Sequence, residues 1–86
     1  MTLNDDGVYL LPDGREMIAR QTDGDRYQLF DPRLGPASAP VYFVDAEGEI
    51  TFWGRPVEWK ASDLKDTGRR AVRILRQLNL SRIEFV

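Results

Sequence analysis

The sequence predicts an α+β fold: a small antiparallel β-sheet or barrel of about five strands, laid down as a meander of hairpins, with one C-terminal amphipathic helix. Three observations predict it. Two apolar runs, Val8-Tyr9-Leu10-Leu11 and Val41-Tyr42-Phe43-Val44, each meet an acidic, glycine-bearing turn, Pro12-Asp13-Gly14 and Asp45-Ala46-Glu47-Gly48, and leave it on a second apolar run. That is how a hairpin is written. Apolar and polar residues then alternate with the period of a strand, and after Ala61 the period becomes that of a helix.

Residues 1–7 are expected to be disordered, and strands are expected over about 8–11, 16–21, 26–30, 41–44 and 49–53. Pro12-Asp13-Gly14, Thr22-Asp23-Gly24-Asp25 and Asp45-Ala46-Glu47-Gly48 each supply a glycine where a turn needs positive φ. Tyr27 and Leu29 share one phase, Ile50 and Phe52 share one, and Val57 with Trp59 continues it after Gly54-Arg55-Pro56, whereas Gln28, Thr51, Glu58 and Lys60 take the other. Trp53 falls in the polar phase, which leaves an exposed tryptophan or a sheet covered on both faces. Residues 31–40 hold three of the five prolines and form a loop, because proline cannot donate to a ladder.

Past Ala61, Ser62 suits an N-cap with Asp63 in the first turn, and a helix is expected to begin there. Gly68 interrupts it, with Thr67 able to cap a second segment, and Ala71, Ile74, Leu75 and Leu78 form one apolar stripe. Ile83-Glu84-Phe85-Val86 adds a final strand or pairs with the sheet edge of a second copy, so a homo-oligomer stays open.

Composition bounds the chemistry. At 86 residues the chain forms a single small domain with one core. It has no Cys and no His, which removes thiolate nucleophiles, disulfides, imidazole bases and the usual zinc ligand sets. No phosphate loop, G-x-S-x-G or G-x-G-x-x-G is present, and no cofactor, metal or enzymatic activity is expected. Apolar runs are far shorter than a membrane span, and acidic Asp5-Asp6 stand where a secretory leader carries basic residues, so a cytoplasmic address is expected. The net charge of −2 conceals an asymmetry: residues 1–66 sum to −6 and residues 67–86 to +4, so the two parts attract.

Two surfaces are the candidates for a partner. At helical spacing Arg69, Arg73 and Arg76 cluster opposite the apolar stripe. The plain reading is a solvated face paired with the acidic body; the functional readings are an acidic protein partner or nucleic-acid phosphates. The other surface is the sheet face of Trp53 and Tyr42 with Arg33 and Leu34 of the Pro-rich loop, since aromatics and arginine are enriched in interface cores. Asp45, Glu47 and Glu49 read as turn formers before they read as a calcium or acid/base site. The nine residues from Tyr42 to Ile50, Y-x-x-D-x-x-G-x-I, resemble a single YD-type repeat hairpin, which implies a shared hairpin grammar; arrays of such repeats need several stacked copies. The expected function is a non-enzymatic protein-interaction module, a small adaptor or regulator; the alternative is a nucleic-acid-associated protein that uses the Arg-rich helix.

Overall fold

The computed structural model describes residues 3–34, 38–73 and 83–85. Within them the chain is all-β. Eight strands, β1 (Gly7–Leu10), β2 (Glu16–Asp23), β3 (Arg26–Phe30), β4 (Tyr42–Val44), β5 (Glu49–Phe52), β6 (Arg55–Lys60), β7 (Lys65–Arg73) and β8 (Ile83–Phe85), form one open sheet in the order β6-β5-β4-β3-β2-β1-β7-β8, with every pairing antiparallel. The expected meander is present in β1 to β5, and β8 joins its own sheet through β7. The count of about five strands is too low: alternation through Val57 and Trp59 belongs to a full strand, β6, that follows a tight turn.

The C-terminal helix is a correction. Ala61–Asp63 is a single 3₁₀ turn, in which the Asp63 carboxylate accepts from the Lys60 amide at 2.9 Å, and the chain then enters β7. Gly68 interrupts no helix. Its φ of 79° lies at a bulge where β1–β7 pairing shifts between Gly7↔Arg70 and Tyr9↔Asp66. Asp66 Oδ1 accepts from the Gly68 amide at 2.8 Å, and the Thr67 hydroxyl donates to the Val8 carbonyl at 2.8 Å. The reason is tertiary: β1 has a free edge, and a strand that satisfies its backbone groups outweighs the modest helix propensity of the segment. Of the expected stripe, Ala71 sits in β7, while Ile74, Leu75 and Leu78 lie outside the described residues.

A short connection forces the sheet to curl. In a flat sheet β6 and β7 would stand six spacings apart, about 29 Å. The link from Lys60 to Lys65 spans about 17 Å at full stretch. Ala61 and Leu64 of this link are buried in the same core cluster as Leu3, Tyr9 and Leu11. The inner face holds Tyr9, Met17, Ala19, Tyr27, Leu29 and Ile50, and the predicted inward phase of Tyr27, Leu29 and Ile50 is the one observed. Val8, Ile18 and Ala71 form a smaller buried cluster apart from it. In the N-terminal segment, Leu3 is buried and the Asn4 amide donates to Tyr9 Oη at 2.7 Å; burial raises the Tyr9 phenol above its usual pKa.

The two sequence repeats make the same turn. Leu11 N–H donates to Arg15 O and Gly14 N–H to Leu11 O; Asp45 N–H donates to Glu49 O and Gly48 N–H to Asp45 O. Gly14 and Gly48 take the positive φ that each turn requires, 91° and 83°.

Candidate functional site

Antiparallel order places the β1–β2 turn, the β3–β4 connection and the β5–β6 turn at one end of the sheet, with the β2–β3 and β4–β5 turns at the other. The three exposed large hydrophobic residues of the described chain all belong to the first end: Leu34 at 62%, Phe52 at 45% and Trp53 at 58% exposure. Leu34 closes the 3₁₀ turn Pro32–Leu34 within the Pro-rich loop. Phe52 is the last residue of β5, and Trp53 opens the turn into β6.

The β5–β6 turn has two residues, Trp53 and Gly54, between the paired Phe52 and Arg55. Both central residues have positive φ, 50° and 87°, the mark of a type I′ turn. Glycine suits this conformation and tryptophan does not: an L-residue with a Cβ takes the left-handed region at about 1–2 kcal/mol. The Trp53 ring meets the Phe43 edge at 5.4 Å and 79°, on the face away from the core. The polar phase of Trp53 therefore means exposure at a hairpin tip.

Tyr42 is not a surface platform. It is 8% exposed, and its ring packs on Phe52 at 5.7 Å and Trp59 at 5.1 Å. Only its hydroxyl reaches the rim, where it accepts from Arg15 Nη2 at 2.6 Å. This bond is the main reason the Arg15 guanidinium holds its proton more tightly than usual. Arg15 Nε also donates to Asp13 Oδ2 at 2.8 Å, and the Arg15 amide, with this guanidinium, lowers the pKa of the Asp13 carboxyl.

Arg33 is held by its own loop. The buried Asp31 carboxylate accepts from the Arg33 amide at 2.9 Å, from Nε at 3.2 Å and from Nη2 at 2.9 Å. The guanidinium bond holds Asp31 below the usual carboxylate range and raises Arg33 in turn. Arg15 and Arg33 share a hollow of about 450 Å³ with Asp13, Gly14, Glu16 and Pro32.

No family model, curated protein or solved structure matches this chain.

The arginines of the expected helix face are not brought together as that face. Arg69 lies in β7 and meets Glu16 at 3.2 Å, and neighbouring Arg70 donates to the Asp5 carbonyl at 3.0 Å. Arg73 is the last residue of β7, and Arg76 lies outside the described residues. Asp45 is occupied as a turn former, accepting from the amides of Glu47 at 3.0 Å and Glu49 at 2.8 Å. Among the described residues, no cluster of three acidic side chains could hold a metal ion, and no helix is long and apolar enough to cross a membrane. Sequence reasoning missed Phe52 and Arg15. Phe52 carries the inward phase of Ile50 and is exposed as the last residue of β5, beside the Trp53-Gly54 turn, whereas nothing local to Arg15 points to Tyr42, 27 positions away.

Proposed function

We propose that the protein is a non-enzymatic interaction module that engages another protein through the sheet end bearing Leu34, Phe52 and Trp53. One observation carries the reading: the exposed large hydrophobics of the described chain gather at this single end, on two connections far apart in sequence. Scattered apolar residues need no explanation, whereas a gathered set marks a contact surface. The left-handed backbone of Trp53 adds weight, since strain kept at an exposed position is a signature of functional sites. Tryptophan is also among the strongest interface anchors. Association with nucleic acid through the arginines has less support, because Arg69 already pairs with Glu16 and the chain is acidic, with a pI of about 5.0.

The test is affinity capture from the native organism's lysate at low and high salt, with wild type, Trp53→Asn, Leu34→Ala and Arg73→Glu side by side. The reading expects a protein that is retained in high salt and lost with Trp53→Asn and Leu34→Ala. Capture that ignores both substitutions, or that is salt-sensitive and lost only with Arg73→Glu, overturns it.

A further inference from the structure

We propose that a groove on the outer sheet face, next to Trp53, is a binding site for a neutral saccharide. The groove, of about 260 Å³, crosses β3, β4 and β5. Phe43 lies in it, flanked in one cross-strand row by Gln28 on β3 and Thr51 on β5. Gln28 and Thr51 are half-buried, and neither side chain has a hydrogen-bond partner among the described residues. Arg26 lines the same groove two positions along β3, exposed and with no carboxylate partner there. The Trp53 ring packs edge-on against Phe43 at 5.4 Å.

The charges of the groove select the ligand. A cation finds no unengaged carboxylate, because Asp45 accepts from two amides and Glu49 pairs with Lys60 Nζ at 3.3 Å. A polyanion meets Asp45 in the groove and Asp23 and Asp25 on the adjacent β2–β3 turn, with Arg26 as the one groove-lining cation, since Lys60 is paired with Glu49. What remains is an unfilled amide, hydroxyl and guanidinium set around an aromatic ring. A neutral ligand that complements it needs a C–H face for Phe43 and several groups that both donate and accept. A sugar ring with its hydroxyls has both. This site adjoins the sheet end proposed to meet a protein partner, through the Phe43–Trp53 contact, and does not depend on that reading.

The probes are arrayed neutral gluco-, galacto-, manno- and xylo-oligosaccharides, followed by amide NMR titration of wild type, Gln28→Ala, Thr51→Val and Leu34→Ala, with a heparin fragment as the anionic arm. The proposal expects one neutral series to shift the amides of Gln28, Phe43 and Thr51. Gln28→Ala and Thr51→Val each weaken that binding by about tenfold, with spectra unchanged away from the groove, and Leu34→Ala leaves it intact. It is overturned if no neutral series shifts these amides at millimolar concentration, if binding survives both groove substitutions, or if only heparin binds. Loss of protein capture on Trp53→Asn without any saccharide binding would leave the interaction module standing and remove this site.

Discussion

Substitution of Trp53 separates backbone strain from side-chain contact. Trp53→Ala and Trp53→Asn both remove the ring that meets Phe43 at 5.4 Å, a contact worth about 0.5–1.5 kcal/mol. They differ in the left-handed backbone. Alanine keeps the cost of about 1–2 kcal/mol at φ 50°, whereas asparagine tolerates this region and with Gly54 completes the favoured Asn-Gly turn. Trp53→Asn is therefore expected to be more stable than Trp53→Ala by about 1 kcal/mol. It should also lie within about 1 kcal/mol of wild type, because relief of strain offsets the lost ring contact. A buried tryptophan would behave otherwise, with truncation costing about 3–5 kcal/mol. Urea unfolding followed by far-UV circular dichroism reads the order directly through the midpoints at constant m. Equal stability of the Ala and Asn variants would show that Trp53 is not left-handed, and a loss above about 3 kcal/mol in Trp53→Asn would show that its ring is core. If the capture experiment also finds Trp53→Asn stable yet unable to hold its partner, the strained tryptophan is retained for contact at the expense of the turn.

Gly7→Ala is expected to destabilise by about 1–3 kcal/mol in thermal unfolding, since the new Cβ would stand 2.9 Å from the Tyr9 ring and 3.0 Å from the Asn4 carbonyl, both fixed by the Asn4–Tyr9 hydrogen bond. Gly68→Ala meets no neighbour within 4 Å, so its loss of about 1 kcal/mol comes from φ 79° alone, and a helical rather than bulged segment would instead be stabilised. Asp31 has a lowered folded-state pKa, so its contribution is complete above the unfolded value of about 3.9 and fades as pH falls through the folded value. Asp31→Asn should therefore cost about 2 kcal/mol at pH 7 and flatten the acid limb of the stability profile; an unchanged limb would refute the assignment. The raised Tyr9 pKa acts in the opposite direction, with stability present below the unfolded value of about 10 and lost above it as pH rises through the folded value. Tyr9→Phe should remove that alkaline loss while giving up the Asn4 hydrogen bond, about 1 kcal/mol in urea melts at pH 7.

The parts of this molecule that could be read from sequence are those set by neighbouring residues. Turn glycines and alternating phases are local, and they give β1 to β5 with Tyr27, Leu29 and Ile50 facing inward. β7 could not be read that way, because Asp66-Thr67-Gly68 becomes a bulge only when the edge of β1 lies alongside. The same division runs through the candidate site. Trp53 stands out in sequence as an apolar residue outside the inward phase and Leu34 as a member of the Pro-rich loop, but the end of the sheet that unites them with Phe52 exists only once the strand order is known.

The internal repeat shows why local grammar stops short of function. Matched by sequence, Tyr9 aligns with Tyr42, and both are core residues. Matched by hydrogen bonds, Leu11 aligns with Asp45, one residue out of step with that pairing. The first turn thus leaves the sheet on an inward residue and the second on an outward one, because side chains alternate every residue. That single step decides what each acidic turn does. Outward Asp45 folds back onto the amides of Glu47 and Glu49, while buried Leu11 leaves the acidic role to Asp13, which holds Arg15 against Tyr42. One turn closes on itself, and the other ties the rim of the aromatic end to the core, so two hairpins of the same wording make unlike surfaces.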